Sequence, residues 1–72
     1  MDLVEIKQKE QVSREEAAAR LRDLADQLAR HNDLEFERDG ISFKVRVPDE
    51  VQLKVEFEVE DDGSELEVEL TW

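Results

Sequence analysis

Carboxylates are the most numerous groups in this chain that could do chemistry. The 72 residues include 21 Asp and Glu against 10 Lys and Arg, which gives a formal net charge of −11. After residue 47, Lys54 is the one basic residue among ten acidic ones. Six of these acids alternate with apolar residues, a period that puts them on one face of two β-strands. They are Glu56, Glu58, Glu60, Glu65, Glu67 and Glu69. We term this set the acidic face, and it is the candidate interaction face.

The acidic face predicts a repulsion that something must offset. Like charges opposite each other on neighbouring strands destabilise a hairpin by about 0.2–1 kcal/mol per pair. Concentrated salt could screen them, Lys7 and Lys9 on a neighbouring strand could neutralise them, or a partner could supply basic groups. Alternate glutamates lie about 6.8 Å apart along a strand, so mimicry of a nucleic acid is a further hypothesis. The same acidity disfavours direct binding to nucleic acids and anionic membranes.

Metal and catalytic chemistry find little support in the residue types. The chain has no cysteine and one histidine, His31, so neither a thiolate site nor a multi-histidine metal site can form. Four carboxylates surround one predicted turn: Glu60, Asp61, Asp62 and Glu65. They could hold Ca²⁺ or Mg²⁺ weakly, but they lack the alternating ligands of an EF-hand, and a solvated turn is the simpler interpretation. We expect His31 to complement a helix dipole, and we predict no catalytic residue, metal ligand or cofactor.

A helix is predicted from Ser13 to about Asn32. Ser13 and Glu16 have the spacing of a capping box, in which each side chain accepts from the other residue's backbone amide. Apolar residues then recur at helical spacing. They are Ala17, Leu21, Leu24, Ala25 and Leu28. Asn32 can adopt the left-handed conformation that ends many helices.

After residue 33 the apolar period changes to two and predicts two hairpins. In the first, Asp39 and Gly40 are typical of a type I′ turn, which pairs Phe36 with Phe43. In the second, a turn centred on Asp62 and Gly63 predicts three like-charged pairs. They are Glu56–Glu69, Glu58–Glu67 and Glu60–Glu65.

Trp72 is the only tryptophan and follows the apolar row of the last predicted strand. The predicted register places it opposite Leu53 on the inward side. A buried Trp72 would anchor the end of the strand in the core. A partly exposed one would be a contact for a partner or a second subunit.

One more strand is predicted near the amino terminus, where Val4 and Ile6 alternate with charged residues. The element order is then β-α-β-β-β-β over one α+β domain of residues 1–72, an antiparallel sheet with one helix packed across its apolar face. Placing the first strand beside the last would bring Lys7 and Lys9 to the acidic face. That arrangement predicts a sheet order of 2-3-4-5-1.

Several features of the composition bear on location. No apolar run approaches the roughly 20 residues of a membrane span, and Met1-Asp2-Leu3 does not open a signal peptide. Four lysines beside 21 acids are typical of adaptation to salt rather than to heat. We therefore expect a cytoplasmic protein that works at high salt.

Three segments of the chain together resemble the amphi-Trp family of small prokaryotic proteins, many of them from halophilic archaea. The segments are 13–18 (Ser-Arg-Glu-Glu-Ala-Ala), 47–51 (Val-Pro-Asp-Glu-Val) and 65–72, the amphipathic strand ending on Trp72. The family's name describes this last segment. The resemblance covers the full length and implies a complete small domain in an archaeal, high-salt setting. It implies no activity, ligand or catalytic residue.

Two classes of function follow as hypotheses. The leading one is a small acidic, non-enzymatic module that binds a protein partner or a second copy of itself. The alternative is a weak metal or small-molecule binding domain, an enzyme of unrecognised type, or a nucleic-acid mimic. A small-molecule site would require a concave pocket between helix and sheet, lined by more than aliphatic side chains.

Overall fold

The computed structural model describes residues 5–72 and contains one helix followed by four strands. They are α1 (Arg14–His31), β1 (Asp33–Arg38), β2 (Ile41–Arg46), β3 (Gln52–Glu60) and β4 (Gly63–Thr71). All strand pairs are antiparallel. The predicted α+β class is confirmed. Within residues 5–72, no helix combines the length and apolar character needed to cross a membrane.

Both ends of α1 lie where the sequence predicts them. The Ser13 hydroxyl accepts a hydrogen bond from the Glu16 amide at 3.0 Å, which satisfies one of the free amides of the first turn. The Glu16 carboxylate accepts instead from the Arg20 guanidinium at 3.2 Å, so the structure shows only one arm of the predicted capping box. At the other end, Asn32 takes the left-handed conformation, with φ 54° and ψ 22°.

The first hairpin has the predicted turn and register. Asp39 and Gly40 both have positive φ, 53° and 77°, as a type I′ turn requires. Phe36 lies opposite Phe43, and Glu35 lies opposite Lys44. Cross-strand pairs on both faces therefore support the same pairing.

Helix α1 packs on β1 and makes no comparable contact with β3 or β4. The Gln27 side-chain oxygen accepts from the Glu35 amide at 3.0 Å. The Val47 amide donates to the Asn32 carbonyl at 2.9 Å, which closes the open end of the first hairpin against the end of the helix. Val47, 7% exposed, is the only buried apolar side chain within the described range.

The second hairpin differs from the predicted register by two residues. Its turn consists of Asp61 and Asp62, because Gly63 already belongs to β4 and pairs with Glu60. Leu53 consequently lies opposite Leu70, and the predicted pairing of Leu53 with Trp72 is wrong. A shift of two residues preserves the side-chain period, so the predicted division into one apolar face and one acidic face still holds.

The prediction of one five-stranded sheet is also wrong. The strands form two separate two-stranded sheets, β1–β2 and β3–β4. Residues 5–9 of the predicted first strand have no regular secondary structure, and Val4 lies outside the described residues. This segment lies beside α1 and β1, where Arg38 donates to the Glu5 carbonyl at 3.3 Å and Arg20 donates to the Glu10 carboxylate. The predicted order 2-3-4-5-1 is therefore wrong: the strands form two hairpins, and residues 5–10, which we term the leading segment, belong to neither of them.

The chain leaves far more surface exposed than its size predicts. It exposes 7043 Å², whereas a folded monomer of 8.4 kDa exposes about 4,600 Å². The radius of gyration is 14.2 Å, against about 11 Å for a compact domain of this length. Both quantities indicate that the four strands and the helix do not close around a shared core within one chain.

Candidate interaction surface

The polar side of the β3–β4 hairpin carries the acidic face. Observed rungs place Glu56 opposite Glu67 and Glu58 opposite Glu65. The three predicted Glu–Glu pairs are therefore wrong, and the hairpin contains two different Glu–Glu pairs instead. Glu60 faces Gly63 at the turn, so its nearest cross-strand partner carries no charge.

Among residues 5–72, Lys54 provides the one favourable charge pairing on this surface. It lies opposite Glu69, and its ammonium is 3.2 Å from the Glu56 carboxylate. By contrast, Lys7 pairs with Glu5 at 3.1 Å, in the leading segment beside α1 and β1. The prediction that Lys7 and Lys9 neutralise the final strand is therefore wrong, because that segment does not pair with β4. All six glutamates of the acidic face remain exposed.

The other side of the same hairpin carries large apolar side chains that contact little. Six of them are 53–69% exposed. They are Leu53, Val55, Phe57 and Val59 of β3, and Leu66 and Val68 of β4. We term this set the apolar face. The register pairs Val55 with Val68 and Phe57 with Leu66, so the two rows adjoin and form one continuous strip.

The sequence predicts these six residues as core and does not identify them as a contact surface. Alternation indicates which side of a strand is apolar, but it does not indicate what covers that side. One feature of the sequence does bear on this question, namely how few elements it provides to cover the apolar sides of the strands. Four amphipathic strands share a single helix of 18 residues, and that helix packs on β1.

Trp72 lies at the open end of the second hairpin, just beyond the last residue of β4. Its side chain is 54% exposed. It lines a shallow groove of about 550 Å³ together with Glu50, Val51 and Gln52. Its neighbour Leu70 is half-buried and lines a separate cavity with Leu28 and Val47. At this end of the hairpin, Leu70 shares a cavity with residues of α1 and of the β2–β3 connection, whereas Trp72 lines a groove with residues at the start of β3.

A second groove of about 480 Å³ lies along the junction of α1 and β1. It is lined by acidic and amide side chains besides Leu24 and Phe36, which is the kind of lining that a small-molecule site would need. Several of its polar groups are already bonded to one another. The Gln27 side chain donates to Asp23 at 3.1 Å and accepts from the Glu35 amide at 3.0 Å. These hydrogen bonds engage the side chains of Asp23 and Gln27 on the helix side of the groove.

Arg20, at the edge of this groove, is held by two carboxylates. Its guanidinium donates to Glu10 and, at 3.2 Å, to Glu16. The hydrogen bond to Glu10, followed by that to Glu16, raises the pKa of Arg20 above its ordinary value. The charge of Arg20 is therefore fixed, and its role is to fasten the leading segment to α1.

The tip of the second hairpin brings acidic side chains together around a small groove. The groove measures about 230 Å³ and is lined by Glu58, Glu60, Asp62 and Glu65, among others. In residues 5–72, no three His, Cys, Asp or Glu side chains lie close enough together to hold a metal ion.

Comparison with known proteins identifies a family and no individual relative. Curated proteins give no significant match to the chain, and solved structures give none either. The family model described as Amphi-Trp domain matches residues 1–72, which is the whole chain. This match confirms the resemblance that was predicted from segments 13–18, 47–51 and 65–72. The chain belongs to the Amphi-Trp domain family.

Proposed function

We propose that this chain is a small acidic, non-enzymatic protein-interaction module whose contact surface is the β3–β4 hairpin. The observation that carries the proposal is the exposure, 53–69%, of all six side chains of the apolar face. Monomeric proteins rarely expose contiguous apolar patches of more than a few hundred Å², and larger patches mark interaction sites. A cytoplasmic, high-salt setting belongs to the proposal and is supported by the net charge of −11.

The free energy that would be gained by covering the apolar face supports a protein partner rather than a small ligand. Full burial of a Val, Leu or Phe side chain contributes about 1.5–3 kcal/mol. With more than half of each side chain exposed, covering it would contribute about 1–2 kcal/mol, or about 6–12 kcal/mol for the six. That is comparable to the whole stability of a typical domain, about 5–15 kcal/mol.

The acidic face would then determine which partners can approach and in what orientation. Burying unpaired carboxylates is costly, so the partner covers the apolar face while the six glutamates stay in solvent. Their combined field repels polyanions and attracts basic groups over distances set by the salt concentration. The groove between α1 and β1 gives weaker support to a small-molecule site, because several of its polar side chains already bond one another.

Retention on the immobilised full chain tests this proposal. The input is cell extract from the source organism at its native ionic strength, supplemented with the same chain carrying a second tag. The variants are V55K, which places a charge in the middle of the apolar face, and I41K as a matched control. Ile41 is a β-branched residue of β2 that is 59% exposed, against 61% for Val55.

We expect the unmodified chain and I41K to retain protein above background, and V55K to retain at least tenfold less. Retention by V55K equal to that of I41K would refute the assignment to the β3–β4 hairpin. The proposed function fails if the unmodified chain retains neither its own tagged copy nor any other protein.

A further inference from the structure

We propose that the partner covering the apolar face is a second copy of this chain, in a dimer whose two β3–β4 hairpins pack face to face. The inference rests on the proposed function, since it names the occupant of the same surface. The contact is symmetric, and each protomer contributes the same residues to it, as in most homodimers.

The amount of uncovered surface fits a homodimer interface. The chain exposes 7043 Å², about 2,400 Å² more than the roughly 4,600 Å² expected of a folded monomer of this mass. Obligate homodimer interfaces bury about 2,000–5,000 Å² in total, or about 1,000–2,500 Å² per partner. The excess of the whole chain is as large as one side of such an interface, and the apolar face supplies the contiguous apolar part of it.

The shape of the hairpin suits packing of one sheet on another. Each of its strands has nine residues, so the strip is about 27 Å long and about 10 Å wide, from about 3.4 Å per residue and about 4.8 Å per strand. The central rungs Val55–Val68 and Phe57–Leu66 join residues of similar size and polarity. Two such strips can pack about 10 Å apart as the layers of a sandwich.

Charge favours this geometry over pairing along a strand edge. In the face-to-face arrangement both acidic faces point outward on opposite sides of the dimer. Pairing of two β4 edges would place Glu65, Glu67 and Glu69 of one copy about 4.8 Å from the same row of the other. That arrangement would add like-charged neighbours to a hairpin that already holds two Glu–Glu rungs.

The second hairpin needs a cover in order to be stable, and a second copy of the chain is a partner that is always available when the chain folds. Val47 is the only apolar side chain buried in residues 5–72, and a two-stranded hairpin alone is marginally stable at best. Helix α1 of the same chain packs on β1 and leaves β3 and β4 uncovered. The second hairpin therefore needs its cover during folding, which a second copy supplies.

The test measures the mass of the full chain in solution by light scattering coupled to size-exclusion chromatography. Samples span 5 to 200 μM in 0.15 M and 2 M KCl, ranges that we choose to bracket dimer dissociation and charge screening. The unmodified chain and I41K are expected at twice 8.4 kDa, and V55K at the monomer mass. Circular dichroism of each variant reports whether it keeps the secondary structure of the unmodified chain.

Two single-cysteine variants locate the contact without placing a charge in it. The chain has no cysteine of its own. V68C and E67C differ by one position on β4 and place a thiol on the apolar and the acidic face, respectively. In the dimer, a maleimide should alkylate V68C at least tenfold more slowly than E67C, because the contact buries the first thiol and leaves the second in solvent.

A monomer mass throughout the concentration range would overturn the inference. So would equal alkylation rates of V68C and E67C in a sample of dimer mass, which would put the contact elsewhere. If the chain is monomeric but retains a different protein in a V55K-sensitive way, the proposed function stands and the second copy is the wrong partner. If it is monomeric and its V68C thiol resists alkylation in the monomer, the chain covers its own apolar face and the inference also fails.

Discussion

The observed register of the second hairpin predicts opposite effects for the same substitution at two positions of β4. Glu67 lies opposite Glu56, and Glu69 lies opposite Lys54. E67K would convert a like-charged rung into an opposite-charged one, whereas E69K would do the reverse. Both substitutions change the net charge by +2 and lie two residues apart on the same face, so their effects on the overall field of the chain are nearly the same.

The magnitude follows from the usual size of cross-strand charge pairs, about 0.2–1 kcal/mol in either direction. The side chains of Lys54 and Glu56 are 60% and 49% exposed, so solvent screening places these rungs in the lower half of that range. We expect E67K to raise and E69K to lower the stability by about 0.5 kcal/mol each. The resulting difference of about 1 kcal/mol corresponds to about 4–8 °C in Tm for a domain of this size.

Thermal unfolding followed by circular dichroism measures this difference. All variants are compared at one protein concentration, because dimerisation makes Tm depend on concentration. In 0.1 M KCl the order of Tm should be E67K, then the unmodified chain, then E69K. In 2 M KCl, where the Debye length is shorter than about 3 Å, the spread should fall by more than half, and the unmodified chain should gain stability.

Equal increases in Tm for E67K and E69K would refute the reasoning. That result is expected if Glu67 faces Glu58 and Glu69 faces Glu56, the register predicted from a turn centred on Asp62 and Gly63. Unchanged Tm for both variants would show instead that solvent and counterions already remove the repulsion at 0.1 M KCl.

Two further predictions concern local conformation. S13A removes the hydroxyl that accepts from the Glu16 amide at 3.0 Å and should cost about 1 kcal/mol, seen as a lower Tm, whereas S13D, which keeps an acceptor, should stay within 2 °C of the unmodified chain. G40A forces alanine to adopt φ 77° with open space around its Cβ, so backbone strain of about 1 kcal/mol should lower Tm by several degrees. G63A is the matched control, because Gly63 has equally open surroundings and no positive φ, and equal losses for the two alanine variants would contradict the strain argument.

The two hairpins differ in how far their registers could be predicted. Asp39 and Gly40 adopt the left-handed conformations of one turn type, and that turn admits a single pairing. The segment 61–64 (Asp-Asp-Gly-Ser) supports a turn at Asp61–Asp62 as well as one centred on Asp62–Gly63. These two pairings differ by two residues, so both place the same residues on the same faces. The apolar pattern therefore cannot distinguish them.

The six residues of the acidic face were predicted correctly to lie on one side of the hairpin. Which glutamates face each other across the hairpin, and which basic residues offset their repulsion, were not predicted correctly. Parity alone assigns all six glutamates to one side of the hairpin. Which of them face each other depends on the turn, and whether Lys7 and Lys9 reach them depends on where the leading segment lies. The structure places that segment beside Arg20 and Arg38, because its carboxylate and carbonyl groups accept hydrogen bonds there.

Sequence by itself determined the local structure of this protein: the capped helix, the four strands, the type I′ turn and the division of the second hairpin into an apolar and an acidic face. These features depend on side-chain period, capping and turn geometry, which involve residues close together along the chain. Tertiary structure decided that α1 covers β1 and leaves the six side chains of the apolar face more than half exposed. Hydrophobic burial is non-directional, so an apolar strip specifies that it should be covered without specifying which surface covers it.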